Sequence, residues 1–340
     1  MEPSPSAPAI SVCICTHDRA AYVRACLHAL RRQTAPPTCF EVLLIDSASA
    51  PAEAAALARM DRAMPGLRRI RLDQPGVSRA RNAGAQAARA PYIAYIDDDA
   101  VPAADWIARI LDALGEHPDA AVLGGRILPL WEAPLPGWWP ASLRGVLSLI
   151  EWEGQGEFRS ADLPAGLAPY SANMVVAVAP MRALGGFSEA IGRIGSVLLS
   201  DEEVQLAWRL QDHGYAVRYD SRILVHHRIQ AGRLDPAWLL ERLFWQGASA
   251  VVTARLLGRA GGVWRAVPRR AAVALLCAPA ALLGRHSTRL IGLRWRLAYA
   301  LGFLRVAFGW QVARAAAEAH AARHPARAVA ANAAPLPAGD

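Results

Sequence analysis

Short apolar runs alternate with amphipathic stretches over residues 9–128 of the chain. Runs such as residues 10–16 and 92–96 are rich in β-branched and aromatic side chains, which predicts buried strands. Between these runs, apolar residues recur every three or four positions, as in helices that bury one face. The pattern predicts strands at 10–16, 40–46, 67–72, 92–96 and 120–127, and helices at 20–33, 52–64, 77–88 and 106–114.

This alternation predicts an α/β fold in which a mostly parallel sheet carries helices on both faces. Ligands of such sheets bind beyond the carboxyl ends of the strands. Polar side chains follow three of the predicted strands there: Thr16 and Asp18 the first, Asp46 the second, and the aspartates at 97–99 the fourth. The sequence therefore predicts a binding site at this edge of the sheet.

The pattern changes after residue 128. Residues 129–166 contain five prolines and four tryptophans, which predicts a loop-rich insertion that is either an irregular surface or a lid. The α/β pattern returns at 171–227, with a helix at about 201–213 and strands near 216–219 and 223–226. Asp235 followed by Pro236 then predicts the start of a long helix.

The rest of the chain is helical in pattern. Its longest uncharged run, residues 271–284, has 14 residues and is interrupted by Pro279. A helix of that length spans about 21 Å, which is shorter than the ~30 Å hydrocarbon core of a bilayer. We therefore expect a body at 8–250, a basic apolar tail at 251–323 that lies on a membrane without crossing it, and a disordered C-terminus at 324–340.

Composition excludes several classes of protein. The chain of 340 residues is 54% hydrophobic and 19% charged, so it can bury a core and is not globally disordered. Five cysteines without regular spacing exclude a disulfide scaffold. The first residues carry neither a basic region nor a long apolar run, so we expect no secretory signal and a reducing, cytoplasmic compartment.

The positive charge is concentrated in the C-terminal quarter. All 37 basic residues are arginine, and 13 of them lie in residues 251–340 beside two acids, which gives this segment a charge of +11. The first 250 residues carry the remaining 24 arginines and 27 acids, a balance of −3. A basic tail indicates an anionic partner, and its apolar runs favour a lipid surface over nucleic acid.

Three consecutive carboxylates, Asp97, Asp98 and Asp99, follow the apolar run at 92–96. Like charges this close repel each other, and burial strengthens the repulsion. A divalent cation relieves it, since carboxylate oxygens are the preferred ligands of hard cations. The alternative is a turn whose aspartates are solvated.

Three further segments place polar residues beside apolar anchors. Residues 76–84 open a helix whose backbone amides, together with Arg79 and Arg81, suit an anion. The acids at 201–203 crowd the first turn of another helix, where they either act chemically or only stabilise the helix dipole. His226 ends a strand as either a metal ligand or a core residue.

In order and spacing, these segments closely resemble glycosyltransferase family 2, from about residue 11 to residue 249. The opening segment at 11–19 ends in Thr-His-Asp-Arg, where the family usually has Thr-x-Asn/Asp-Arg. The second strand reads Ile-Asp-Ser-Ala-Ser instead of Val-Asp-Asp-Gly-Ser, so only Asp46 of an acidic pair is present, and Glu203 stands where aspartate is usual. The other matching segments are 80–84, 97–99, 171–175, 184–189, 202–210, His226, Arg242 and 246–249.

The resemblance implies a GT-A fold and the inverting transfer of a sugar from a nucleotide-diphosphate sugar to an acceptor hydroxyl. Mg²⁺ or Mn²⁺ would neutralise the departing diphosphate. The implied roles are nucleotide-sugar binding by Thr16, Asp18, Asp46, Arg81 and Asp98, metal binding by Asp99, Asp97 and His226, and general-base catalysis by Glu203, with Glu202 second.

The resemblance also bears on partners and location. Residues 171–189 and the insertion at 129–166 would shape the acceptor side, where tryptophans offer flat faces to sugar rings. The basic tail favours a glycan or lipid-linked acceptor, as in surface polysaccharide or glycolipid assembly. We expect a cytoplasmic protein that is peripheral on the inner face of the cell membrane and binds no nucleic acid.

Two alternative functions stay open. The order Asp97-x-Asp99 after an apolar strand also resembles phosphatases of the haloacid-dehalogenase type, but these carry a later lysine and this chain has none. A membrane-bound, non-catalytic scaffold of the same fold would explain the departures at Asp46-Ser47 and Glu203. A dinucleotide-binding dehydrogenase is disfavoured because no Gly-x-Gly-x-x-Gly follows a strand.

Overall fold

The computed structural model describes residues 7–60, 64, 66–164, 166–193 and 197–309. The end of the helix predicted at 52–64, the last part of the predicted tail and the C-terminus predicted to be disordered lie outside these ranges. The described strands are β1 (Ile10–Thr16), β2 (Phe40–Ser47), β3 (Leu67–Leu72), β4 (Tyr92–Asp97), β5 (Ala100–Pro102), β6 (Ala120–Trp131), β7 (Gln155–Glu157), β8 (Met174–Ala177) and β9 (Ala216–Ile229).

The helices follow the predicted alternation with the strands. Short 3₁₀ helices occur at Pro37–Cys39, Ala141–Leu147, Ser171–Asn173, Ala231–Leu234 and Ala278–Leu282. The α-helices are α1 (Ala20–Leu30), α2 (Pro51–Met60), α3 (Val77–Ala87), α4 (Trp106–Glu116), α5 (Val178–Ala183), α6 (Glu202–Asp212), α7 (Pro236–Leu256), α8 (Ala260–Cys277) and α9 (Ile291–Ala307).

All nine described strands join one curled sheet in the order β3-β2-β1-β4-β8-β6-β9-β5, with β7 paired to β9. Strands β3, β2, β1 and β4 are parallel neighbours. Consecutive residues of β1 and β2 are buried, so both faces of the sheet are covered there, as expected for parallel strands between helices. The mixed α/β fold with a mostly parallel sheet is confirmed.

The register of the parallel strands brings their carboxyl ends together. Thr16 at the end of β1 pairs with Asp46 in β2, and Cys15 pairs with Asp97 at the end of β4. The predicted and observed bounds of β1 and β3 are identical, and β2 and β4 are each one residue longer than predicted. Sequence pattern therefore places this edge of the sheet correctly.

The second half of the sheet is mixed. β8 pairs antiparallel with β4 and with β6, whereas β9 runs parallel to β6 and antiparallel to β5. The two short strands predicted near 216–219 and 223–226 are one strand, β9, and its register against β6 shifts between Gly125 and Arg126. This bulge interrupts the apolar pattern and explains why the sequence suggested two strands.

The Pro- and Trp-rich segment at 129–166 contains more structure than predicted. β6 continues through Trp131, and a 3₁₀ helix and β7 follow. Trp139 is buried beside Trp138, and Trp152 packs against Tyr219 with ring centroids 5.6 Å apart. The tryptophans of this segment therefore serve the core, and none of them is among the residues that line the cavity described below.

The C-terminal helices pack on one another. α7 begins after Asp235, whose side chain accepts a hydrogen bond from the backbone N–H of Ala237, and it continues through residue 250, where the sequence suggested a boundary. α9 lies against α7 and α8. Among the described helices, none has the length and apolar character that crossing a bilayer requires.

Candidate active site

A cavity of about 800 Å³ opens at the edge of the sheet where β1 and β4 end. Part of its lining comes from the residues that follow these strands and from the start of α3. The rest includes the start of α6, the 3₁₀ helix at Ala141–Leu147 and one face of α7. The lining contains eight of the predicted site residues: Thr16, Asp18, Arg81, Asp97, Asp98, Asp99, Glu202 and Glu203.

The three aspartates have different environments. Asp97 ends β4 with 35% of its side chain exposed, whereas the side chains of Asp98 and Asp99 are 5% and 1% exposed. Arg19, directly before α1, contacts both buried carboxylates. Its Nη1 lies 3.0 Å from Asp98 Oδ1, and its Nη2 donates to Asp99 Oδ2 at 2.5 Å.

Asp99 collects further donors. Its Oδ2 also accepts hydrogen bonds from Gln230 at 2.8 Å and from Arg233 at 3.2 Å, while its Oδ1 lies 3.2 Å from Nε2 of His227. Burial opposes ionisation, but the hydrogen bond from His227 and the charges of Arg233 and Arg19 outweigh it and hold the pKa of Asp99 well below its usual value. Asp99 is therefore a buried anion.

Asp98 faces the end of β1. The hydroxyl of Thr16 donates to its Oδ2 at 2.7 Å. Burial, reinforced by the charge of Asp99, raises the pKa of Asp98 to about 7, although Arg19 opposes this shift. Asp98 therefore holds its charge less firmly than Asp99 does.

Asp97, Asp99 and His227 can hold a metal ion, since each offers one ligand atom within 4.8 Å of the other two. Two carboxylates and an imidazole suit Mn²⁺ and are compatible with Mg²⁺. The structure places His227 in this cluster, whereas the sequence suggested His226. Neighbouring residues of a strand point to opposite faces, and β9 pairs His227 with Ala100, directly after Asp99. His226 does not line the cavity.

Arg81 links the aspartates to the acids of α6. Its Nη1 donates to Glu202 Oε1 at 2.5 Å, its Nη2 donates to the hydroxyl of Ser171, and Asp97 Oδ1 lies 3.7 Å away. Burial disfavours the charge of Arg81, but Glu202, Glu203 and Asp97 outweigh burial and raise its pKa. Arg81 thus lines the cavity, where its main partner is a glutamate.

The three acids at the start of α6 have different partners. Asp201 precedes the helix with φ of 76° and accepts a hydrogen bond from Gln246 at 2.8 Å. Glu202 is held by Arg81 through its Oε1, while its Oε2 has no hydrogen-bond partner among the described residues. Glu203 is buried, and its Oε2 has no hydrogen-bond partner among the described residues. Burial and the charge of Glu202 raise the pKa of Glu203 to about 8, so its carboxyl is mostly protonated at neutral pH.

Asp46 does not line the cavity. Its side chain is fully buried, where Oδ2 accepts from Arg71 at 2.6 Å and Oδ1 accepts from the backbone of Ser49 at 2.9 Å. The hydroxyl of Ser49 in turn accepts from the backbone N–H of Asp18. The sequence predicted that Asp46 would bind the nucleotide. In the structure Asp46 lies behind the cavity wall, and Asp18 and Ser47 are the residues that line it.

Several arginines of the cavity had no assigned role at the level of sequence. Arg19 and Arg233 reach Asp99, and Arg193 and Arg242 line the cavity near α6. Arg19 and Arg242 lie in recognisable motifs. Arg193 and Arg233 could not be found from the sequence, because no motif surrounds them and the chain contains 37 arginines.

Known proteins resemble this chain in sequence. Residues 11–152 match the family described as Glycosyl transferase family 2. The chain is 30% identical over 175 residues to glucosyl-dolichyl phosphate glucuronosyltransferase of Haloferax volcanii. The aligned segment covers 51% of this chain and 54% of that protein. It is 29% identical over 182 residues to pre-mycofactocin glycosyltransferase of Mycobacterium tuberculosis, covering 53% of this chain and 35% of that protein. The chain thus spans about half, or less, of these relatives.

A solved structure resembles the whole described fold. It is a mannosyltransferase of Pyrobaculum calidifontis in complex with GDP-Man and Mn²⁺, with a TM-score of 0.55 over 98% of this chain and 79% of that chain. At 19% identity this likeness concerns the fold, which is of GT-A type. Residues 11–152 therefore form a domain that matches glycosyltransferase family 2.

Proposed function

We propose that this protein transfers a sugar from a nucleoside-diphosphate sugar to an acceptor hydroxyl, with dependence on Mn²⁺ or Mg²⁺. One observation carries the proposal: a single cavity joins a carboxylate–imidazole cluster at a strand end to the unpaired carboxyl of Glu203. The names of the sequence relatives, and the GDP-Man and Mn²⁺ of the structural relative, support the same reaction class.

On the donor side, Asp97, Asp99 and His227 would hold the cation, which, when bound, stabilises negative charge on the departing diphosphate. Thr16 and Asp18 line the part of the cavity proposed for the nucleotide, with Asp98 behind Thr16.

Two further residues of the predicted donor site would act as positioning residues. Asp46 would fix the wall through Ser49, which holds the backbone of Asp18. Arg81 would hold Glu202 and Asp97 in place relative to each other.

On the acceptor side, Glu203 would act as the general base in its ionised form, which becomes more populated as the pH rises towards 8. It would take the proton of the acceptor hydroxyl as the oxygen forms a bond to the anomeric carbon and the bond from that carbon to the diphosphate breaks. Glu202 is less suited, because its Oε1 is already neutralised by Arg81. Inversion at the anomeric carbon is the outcome expected of the family.

The metal part of the proposal can be tested by titrating UDP and GDP with and without Mn²⁺. We expect binding of one nucleotide to need the cation and to weaken about tenfold or more in Asp97→Asn and His227→Ala. His226→Ala is the matched control, one residue away on β9, and should bind as the wild type does. Wild-type binding that EDTA leaves unchanged would overturn the metal dependence.

We also propose that the helices α8 and α9 rest on an anionic membrane surface and bring the cavity to a lipid-linked or membrane-borne glycan acceptor. Residues 257–309 contain nine arginines and no acid. Several large apolar side chains of this segment are exposed, among them Trp264, Leu275, Leu276 and Leu282. A basic surface with exposed apolar side chains suits anionic lipid headgroups above an acyl layer.

A further inference from the structure

Arg242 of α7 is a buried cation without a clear partner. The residue is 6% exposed, it lines the cavity, and its Nε and Nη1 have no hydrogen-bond partner among the described residues. Three other arginines of the cavity differ, because each contacts a carboxylate: Arg19, Arg81 and Arg233. An unpaired buried charge is costly, so native proteins seldom keep one without a use for it.

The neighbours of Arg242 increase this cost. Burial and the nearby charge of Arg193 lower the pKa of Arg242 to about 10. Asp201, whose charge acts on Arg242, already accepts hydrogen bonds from Gln246 and Ser200. Two arginines that repel each other across a cavity wall are the arrangement that an anionic ligand stabilises.

The location of Arg242 indicates which ligand this would be. The carboxylates at the end of β4 already have Arg19 and Arg233 beside them, at the place proposed for the donor diphosphate. Arg242 instead lies one turn before Gln246 on α7, and Gln246 donates a hydrogen bond to Asp201 at the start of α6 at 2.8 Å. A group bound by Arg242 would therefore lie on the side of the cavity proposed for the acceptor.

We propose that Arg242, assisted by Arg193, binds a phosphate-ester group of the acceptor and so holds the acceptor hydroxyl near Glu203. This inference rests on the proposed glycosyl transfer only in assigning the phosphate ester to the acceptor substrate. The anion site itself does not depend on that reaction. A guanidinium offers two parallel N–H donors to a phosphate, which suits the free nitrogens of Arg242. The phosphate belongs either to a lipid headgroup or to a soluble phosphate ester.

The test uses hexyl phosphate, inorganic phosphate and hexanol as probes of the full-length protein, with binding followed by calorimetry. Hexyl phosphate should bind the wild type and weaken about tenfold to hundredfold in Arg242→Met, which keeps the apolar stem and removes the charge. Arg242→Lys should retain part of the affinity. Arg31→Met, an exposed arginine at the end of α1, is the control and should bind as the wild type does.

Two comparisons define the site further. Hexyl phosphate that binds more tightly than inorganic phosphate indicates an ester with an organic group, and equal affinities indicate that the phosphate alone is recognised. Binding should persist when UDP or GDP with Mn²⁺ saturates the donor site, and competition between them would overturn the placement on the acceptor side. Failure of both nucleotides to bind would contradict the proposed function and leave the phosphate titration interpretable.

Stability gives an independent measurement. Removing an unpaired buried charge should leave the melting temperature of Arg242→Met equal to that of the wild type or higher. A melting temperature that falls by several degrees, or hexanol binding as tight as that of hexyl phosphate, would show that Arg242 serves packing and not an anion.

Discussion

Glu202 and Glu203 are adjacent and both buried, but their surroundings give them different chemistry. Glu202 is bound by the guanidinium of Arg81, which orients it. Glu203 has an unpartnered Oε2 and a pKa raised to about 8 by burial and by the charge of Glu202. Glu203 stands where aspartate is usual in the resembled motif, but the two residue types have similar intrinsic pKa values. The raised pKa of Glu203 therefore comes from its surroundings and not from the residue type.

We expect Glu203→Gln to reduce turnover by ~10²-fold or more, the scale of general-base catalysis, with little change in nucleotide affinity. The measurement is sugar transfer or donor hydrolysis with the nucleotide sugar found by a donor screen. Glu241→Gln, exposed on α7, is the control and should keep wild-type turnover. Near-normal turnover of Glu203→Gln would remove Glu203 from the reaction.

The raised pKa of Glu203 also predicts a pH-dependent stability. Its carboxyl titrates near pH 8 in the folded protein and near pH 4.3 in the unfolded chain, so folding takes up a proton between these values. The stabilisation is fully present below about pH 4.3 and is lost as pH rises through 8. The unfolding free energy of Glu203→Gln relative to the wild type should therefore increase by about 1 kcal/mol per pH unit across this window.

Denaturant unfolding at several pH values checks this expectation. Other groups titrate alike in both proteins, so they cancel in the difference between them. Glu241→Gln should follow the wild type at every pH. A difference between Glu203→Gln and the wild type that stays constant from pH 5 to 8 would mean that Glu203 is ionised in the folded protein.

Helices α7 and α9 approach each other through glycines. A Cβ on Gly247 of α7 would meet the backbone oxygen of Tyr299, and one on Gly302 of α9 would meet the backbone oxygen of Phe244. The two backbones are therefore in direct contact at two points. Because α7 also carries Arg242 and Gln246 on the cavity wall, this crossing sets the position of those side chains.

We expect Gly302→Ala to destabilise the protein by about 1–3 kcal/mol, since an added methyl group must push two backbones apart. Gly292→Ala on the same helix is the matched control, because its Cβ would meet only the side chain of Arg296 at 3.6 Å. That control should be neutral or stabilising by about 0.5–1 kcal/mol, as expected for alanine in a helix. Equal melting temperatures of the two variants would contradict the close crossing.

Charge and apolar exposure are distributed unevenly over the whole molecule. The first 250 residues are close to neutral, whereas residues 257–309 carry nine arginines without an acid. Leu275 and Leu276 at the end of α8 are 77% and 79% exposed, and Leu282 is 90% exposed. Exposed apolar side chains inside a uniformly basic segment indicate an interaction surface.

We expect the protein to float with vesicles that contain about one third anionic phospholipid and to bind neutral vesicles much less. Replacing both Leu275 and Leu276 with Asp should reduce binding by about tenfold or more, because apolar insertion is lost and negative charge is added. Tyr215→Asp, at an exposed aromatic outside these helices, is the control. Equal flotation with neutral vesicles, or undiminished flotation of the double variant, would contradict the proposed lipid surface and favour another partner.

The sequence by itself determined the parallel part of the fold and the presence of the aspartate cluster. The strands from β1 to β4 are short apolar runs between helices, so local periodicity suffices to find them. Three carboxylates after a buried strand predict a metal site from sequence, with a solvated turn as the alternative, because the repulsion between them follows from their spacing. The start of α7 at Pro236, after the N-cap Asp235, was also predictable because it depends only on these two neighbouring residues.

Tertiary structure alone decided which side chains reach the cavity. The choice of His227 over His226 depends on the register of β9 against β5, which is set by strands distant in sequence. Asp46 is withdrawn from the cavity because Arg71, from the neighbouring strand β3, binds it. Nε and Nη1 of Arg242 lack a hydrogen-bond partner among the described residues, and such an environment is a property of packing that no local pattern encodes.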